Sequence, residues 1–118
     1  MNVNLIAMKA RAGESFLVAN DGQYLGKLSS NQYNSESISN PYGSYGSQYS
    51  STSIHNQYSN YGSPYSSLSP FNPYTSTPPA IYLHGQFYGY LSKNPYLGMN
   101  VVDPENLLFW LKEKNLNY

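Results

Sequence analysis

At 118 residues, with six basic and six acidic side chains and no net charge, the chain has room for one domain, 1–118, with a modest core. Ile, Leu, Val and Phe make up only about a fifth of it, near the level at which packed cores become hard to build. The absence of cysteine excludes disulfides, thiolate metal sites and cysteine nucleophiles, and neutrality argues against nucleic acid as a partner.

Met1 to Ala12 shows no clear period and is left unassigned. No apolar run approaches the roughly 18 residues of a membrane span, and Met1 to Met8 is too short and too polar for a signal-peptide apolar region. A soluble, cytoplasmic protein without a membrane partner is therefore expected. Phe16 to Ala19 is an apolar run, Asn20-Asp21-Gly22 is a turn signal, and Gln23 to Leu28 continues with aromatic and aliphatic residues. This predicts a first β-hairpin, 16–33, whose Asp-Gly pair suits a type I′ turn because both central residues need positive φ.

From 33 to 80 the chain repeats with a period of 16 residues. Tyr33 to Gln48 reads YNSESISNPYGSYGSQ, Tyr49 to Pro64 reads YSSTSIHNQYSNYGSP, and a third unit runs from Tyr65 to Tyr74 as YSSLSPFNPY. Asn40-Pro41-Tyr42-Gly43 fits a type I turn, with proline setting φ and asparagine bonding back from the first position. Ser44-Tyr45-Gly46-Ser47 and Asn60-Tyr61-Gly62-Ser63 fit type II turns, which need positive φ at Gly46 and Gly62. One aliphatic residue per unit, Ile38 and Ile54 with Pro70 in the third, predicts a thin core under a tyrosine-rich exterior. Three such units resemble a minimal solenoid; an ordered excursion pinned at both ends by Asn31-Gln32-Tyr33 and Asn94-Pro95-Tyr96 fits slightly better. By composition alone the same stretch reads as a low-complexity, self-associating segment, against which the strict register stands.

A second hairpin, 80–96, follows: Ala80 to Leu83, the turn His84-Gly85, then Gln86 to Leu91. Asp21 to Tyr33 (DGQYLGKLSSNQY) and His84 to Tyr96 (HGQFYGYLSKNPY) share Gly, Gln, an aromatic, Gly, Leu-Ser, Asn and Tyr at matching positions. Two related hairpins most simply pair into one antiparallel four-stranded sheet. Gly26 and Gly89 stand at equivalent places inside strands and predict a bulge or a close backbone approach. Near the C-terminus, Asp103-Pro104-Glu105 opens a helix over 103–114, with a capping carboxylate, proline at the first helical position and acid in the first turn. The fold class is thus mainly β (α+β): two related hairpins in a small antiparallel sheet, an ordered turn-rich repeat between them, and one C-terminal helix. The open sheet edges admit a homo-oligomer.

Catalytic chemistry is sparse. His55 and His84 have no carboxylate or cysteine at ligand spacing, the serines lack a nucleophile-elbow pattern, and no phosphate-cradling glycine loop is present. No enzyme activity, metal or cofactor is expected. The Asp-Gly-x-aromatic-Leu-Gly hairpin, the Asn-Pro-Tyr-Gly-x-Tyr-Gly-Ser repeat and the second hairpin together resemble a group of short, uncharacterised bacterial proteins, from about Phe16 to Leu111. The resemblance implies no activity. Where such repeats read Asn-Pro-Tyr-Gly, this chain has Asn56-Gln57-Tyr58-Ser59.

What remains is a neutral surface of tyrosine, asparagine, glutamine and serine, a mixture suited to recognition. A non-enzymatic interaction or assembly module is expected, with a protein as partner. Its candidate binding residues are Tyr42, Tyr45, Tyr49, Tyr58, Tyr61, Tyr65 and Tyr74 with Asn40, Asn56 and Asn72. The alternative is a small-ligand binder for a sugar or nucleotide, which requires a concave site holding at least two tyrosines and an amide.

Overall fold

The computed structural model describes residues 3–118; Met1 and Asn2 lie outside the described residues. Its elements in chain order are α1 (Val3–Arg11), β1 (Phe16–Val18), β2 (Tyr24–Lys27), β3 (Ala80–Leu83), β4 (Gln86–Leu91), β5 (Val101–Val102), a 3-10 turn (Pro104–Asn106) and α2 (Leu107–Glu113). The strands form one sheet in the order β2-β1-β3-β4-β5. The two hairpins pair through β1 and β3, antiparallel, with Leu17 opposite Ile81. The expected four antiparallel strands are present, and β5 joins them as a short parallel neighbour of β4, so the sheet is mixed.

Alternation along β1 divides the core. Leu17 faces one side with Leu25, Ile81 and Leu91, where Ile38 and Ile54 of the repeat and Leu107, Trp110 and Leu111 of α2 complete the packing. Phe16 and Val18 face the other side with Tyr24, and Leu5, Ile6 and Ala10 of α1 cover them. The sheet therefore lies between α1 and a layer made of the repeat and α2. A helix as short as α1 is unstable alone; this burial and a firm stop at its end secure it. The Gly13 N–H bonds to the Ala10 carbonyl and the Glu14 N–H to the Lys9 carbonyl, both at 3.0 Å, with Gly13 at φ 74: a Schellman cap.

The two hairpin turns differ. In the second, His84 (φ 51) and Gly85 (φ 84) are both left-handed, the type I′ geometry. In the first only Gly22 is, and its N–H bonds back to the Ala19 carbonyl at 2.9 Å; the turn is longer than the two-residue type expected there. Both strand glycines sit where the register shifts, β1 against β2 between Phe16 and Val18 and β3 against β4 between Ile81 and Tyr82. A side chain at Gly26 would meet Ile38 Cγ2 at 2.7 Å, and one at Gly89 would meet the Asn100 backbone. Each glycine thus admits a close neighbour.

The predicted C-terminal helix starts as expected, with Asp103 Oδ1 accepting the Glu105 N–H at 2.9 Å and proline next in line, although its first turn is 3-10. No helix among the described residues is long and apolar enough to cross a membrane.

Between β2 and β3 the chain is a succession of β-turns. From Ser50, the N–H groups of Ser53, Asn56 and Ser59 each bond to the carbonyl three residues back, the Ser63 N–H reaches four back to Ser59, and the Ser66 N–H returns to Ser63. Three-residue steps with a single four-residue step make up the 16-residue period. A side-chain oxygen reinforces each turn by accepting the N–H two residues on: Ser50 from Thr52, Ser53 from His55, Asn56 from Tyr58, Ser59 from Tyr61 and Ser63 from Tyr65. These local bonds are what serine and asparagine make best. Gly46 and Gly62 do not adopt the positive φ of type II turns. They are glycine because a Cβ at either site would strike the carbonyl oxygen of Asn40 or Asn56.

One charged cluster ties α1 to the first unit. Lys9 Nζ donates to Glu36 Oε1 at 2.9 Å and lies 4.8 Å above the Tyr24 ring, while Tyr24 Oη donates to the same Glu36 oxygen at 2.9 Å. The Lys9 hydrogen bond, helped by Tyr24 and opposed by partial burial, holds the Glu36 carboxyl below its usual range. A depressed carboxyl stabilises the fold above its unfolded pKa and loses that contribution as pH falls through its folded pKa. Glu36→Gln should therefore cost about 0.5–1 kcal/mol at pH 7, given its half-exposed side chain. The cost should fade well below the ordinary value of 4.5, as read by urea titrations of both proteins at several pH values.

Candidate functional site

The repeat tyrosines fall into two classes. Tyr42, Tyr49, Tyr58, Tyr65 and Tyr74 stand almost fully in solvent, from 88% exposed at Tyr58 to 95% at Tyr42, and Tyr33 and Tyr96 join them at 91%. Each follows a proline or glutamine that itself follows an asparagine or serine. The backbone N–H of every one is held by that asparagine or serine side chain: Asn31, Asn40, Ser47, Asn56, Ser63, Asn72 and Asn94 in turn. The triplet Asn/Ser-Pro/Gln-Tyr thus fixes the backbone and leaves the phenol to solvent.

Tyr45 and Tyr61, named with the others as candidate binding residues, belong to the other class. Both are partly buried against the main core. Tyr45 meets the Tyr24 ring edge-on at 5.1 Å. Tyr61 Oη donates to Asp21 Oδ2 at 2.8 Å, and burial, with that hydrogen bond, pushes its hydroxyl up to about 12. The glycine after each lets the chain fold close enough to bring these rings inward.

Asn40, Asn56 and Asn72 are committed within the fold. Besides holding a tyrosine N–H, each donates Nδ2 to the carbonyl six residues back, of Asn34, Ser50 and Ser66 respectively, at 3.0 to 3.2 Å. Ser50, Ser59 and Ser66 make the same pair of bonds through one hydroxyl, accepting the N–H two residues on and donating to the carbonyl six residues back.

The exposed surface over this region is close to uncharged. Between Leu28 and Ser92 the one formal charge is Glu36, which Lys9 pairs. Tyr49 and Tyr58 flank a depression of about 420 Å³ that is completed by Gln48, His55, Asn56 and Gln57. Among the described residues the amides of Gln48 and Gln57 make no hydrogen bond with the protein. His55 Nε2 lies 2.9 Å from the Ile38 carbonyl and so carries a proton there; packing around the ring lowers its pKa and keeps it neutral. His84 serves the hairpin turn, where its N–H bonds to Ser15 Oγ at 2.9 Å. Among the described residues no three His, Asp or Glu side chains converge as a metal site would require.

Tyr33, Tyr96, Gln48 and Gln57 were not among the residues expected at the site. The triplets Asn31-Gln32-Tyr33 and Asn94-Pro95-Tyr96 carried the signal for the first two. Gln57, standing where the neighbouring units have Pro41 and Pro73, carried it for the depression. No known protein family, curated protein or solved structure matches this chain.

Proposed function

We propose that the protein is a non-enzymatic interaction module that presents a rigid, neutral face of tyrosines to a protein partner whose contact surface is itself uncharged. The observation that carries this reading is the set of solvent-exposed tyrosines on side-chain-locked turns. Tyrosine gives a large contact area with few rotamers to freeze, and the backbone beneath is ordered before binding, so little entropy is lost on association. With Glu36 paired, the face has no charge to steer or repel a charged partner.

The test substitutes Tyr65 and Tyr74 with serine, which leaves the turns and the core untouched. Intact protein should retain a stoichiometric partner in pull-downs at high salt, and the double variant should lose it with an unchanged melting temperature. A partner retained equally by both proteins, or released by salt, would refute the reading. The small-ligand alternative is supported by the depression between Tyr49 and Tyr58, whose two tyrosines and several amides meet the requirement for a concave site.

A further inference from the structure

We infer that the depression between Tyr49 and Tyr58 is a binding site for a neutral oligosaccharide. This rests on the small-ligand reading and is independent of the protein partner. The observations concern what the lining offers. Two tyrosines, 89% and 88% exposed, line a hollow whose other residues are Gln48, His55, Asn56 and Gln57. A pyranose ring has an apolar face of C–H groups, which aromatic rings contact well, and an equator of hydroxyls that both donate and accept. Side-chain amides answer such hydroxyls because they too donate and accept. Gln48 and Gln57 are free to do so, whereas Asn56 is occupied in holding the turn.

The repeat sharpens the argument. The residues before the displayed tyrosines Tyr33, Tyr42, Tyr49, Tyr58, Tyr65 and Tyr74 are Gln32, Pro41, Gln48, Gln57, Pro64 and Pro73. Proline serves the turn better because it presets φ. Only Tyr49 and Tyr58 are successive displayed tyrosines of the repeat both preceded by glutamine, at the cost of that preference, and there both amides belong to residues lining one depression. The apparent loosening of turn chemistry at Asn56-Gln57-Tyr58-Ser59 is then the placement of a ligand-reading group.

Charge selects among small ligands. No Lys or Arg lines the hollow, so the phosphates of a nucleotide would find no cationic partner. The hollow shares Gln48 and His55 with a groove of about 410 Å³ that is also lined by Pro104 and Glu105 of the 3-10 turn and Leu108 of α2. It shares His55 and Gln57 with a further depression of about 290 Å³ containing Phe71. The contiguous surface suits several linked sugars rather than one.

The probes are neutral hexasaccharides: β-1,4-linked glucose, xylose, mannose and N-acetylglucosamine, and α-1,4-linked glucose. Binding is followed by the NMR shifts of the Gln48 and Gln57 side-chain amides and by calorimetry. At least one hexasaccharide should bind with Kd below about 1 mM and move both amide signals. Gln57→Pro, which restores the residue of the neighbouring units, and Tyr49→Ala should each weaken binding about tenfold or more while the melting temperature holds. Gln57→Ala serves the same purpose if the proline variant does not fold. No response from any hexasaccharide at about 10 mM, or unchanged affinity in well-folded variants, overturns the inference. Serine at Tyr65 and Tyr74, outside the hollow, should leave sugar binding intact, so the protein-partner reading and this one fail separately.

Discussion

Gly62→Ala and Gly46→Ala should each destabilise the protein by about 3 kcal/mol, the upper part of the range for overpacking a filled site. The reason is space, since neither glycine has a positive φ that would make alanine strained by itself. A methyl group at Gly62 would strike the Asn56 carbonyl oxygen and come within 2.6 Å of the Ile54 carbonyl oxygen. Both are backbone atoms, and the first already accepts the Ser59 N–H at 3.0 Å. The Asn56 oxygen cannot withdraw without opening its turn, and an opened turn releases its neighbours through the bonds that link them. Gly43→Ala is the control: its nearest neighbour, the Ser35 carbonyl oxygen, would lie 3.1 Å away, and a loss of about 1 kcal/mol or less is expected. Urea titrations with unchanged m-values would report the difference as stability alone. If Gly62→Ala unfolded within about 0.5 kcal/mol of the wild type, the turns would have to be free to dilate, contrary to the ladder described above.

How far the sequence revealed this fold follows from where each feature draws its stability. The hairpins, the Asp103-Pro104 helix start and the turn at Asn40 to Gly43 depend on local chemistry, which a sequence displays. Helix α1 depends on burying Leu5, Ile6 and Ala10 against the far face of the sheet, and strand β5 is two residues long; neither leaves a period to read. Gly46 and Gly62 depart from the expected type II turns because a sequence cannot separate a glycine needed for its φ from one needed for its missing Cβ. The two tyrosine classes were separable in principle. Tyr58, after Asn56-Gln57, is displayed, while Tyr61, before Gly62, turns inward. That rule rests on hydrogen bonds that divide the repeat into turns of three and four residues, a division the sequence does not display.

The division also assigns separate roles to neighbouring side chains. Serine and asparagine hold the backbone, isoleucine and the inward tyrosines join the repeat to the sheet, and the outward tyrosines and two free glutamines are the groups the proposed binding would use. Substitutions in the last group should act on the proposed binding and leave the fold intact, whereas those in the first two groups should act on stability.

Ile54→Ala puts that separation to its strongest test. Ile54 is 1% exposed and shares one cluster with Leu17 and Ile81 of the sheet and Trp110 of α2. Truncation to alanine should cost about 3 kcal/mol, from lost transfer energy plus an unfilled cavity, and lower Tm by more than about 10 °C. Because one core serves repeat, sheet and helix, the variant should still unfold in a single transition, with far-ultraviolet dichroism and tyrosine fluorescence superimposing. Tyr58→Ser, four residues away but 88% exposed, should stay within about 0.5 kcal/mol of the wild type. Ile54→Val, which removes one methyl group, should fall between them at about 1 kcal/mol. A two-step melt in Ile54→Ala, with the sheet and helices surviving to the wild-type temperature, would show that the repeat is a separate unit resting on the sheet. The buried contacts of Ile38 and Ile54 with both hairpins argue that it is one of the walls of the core.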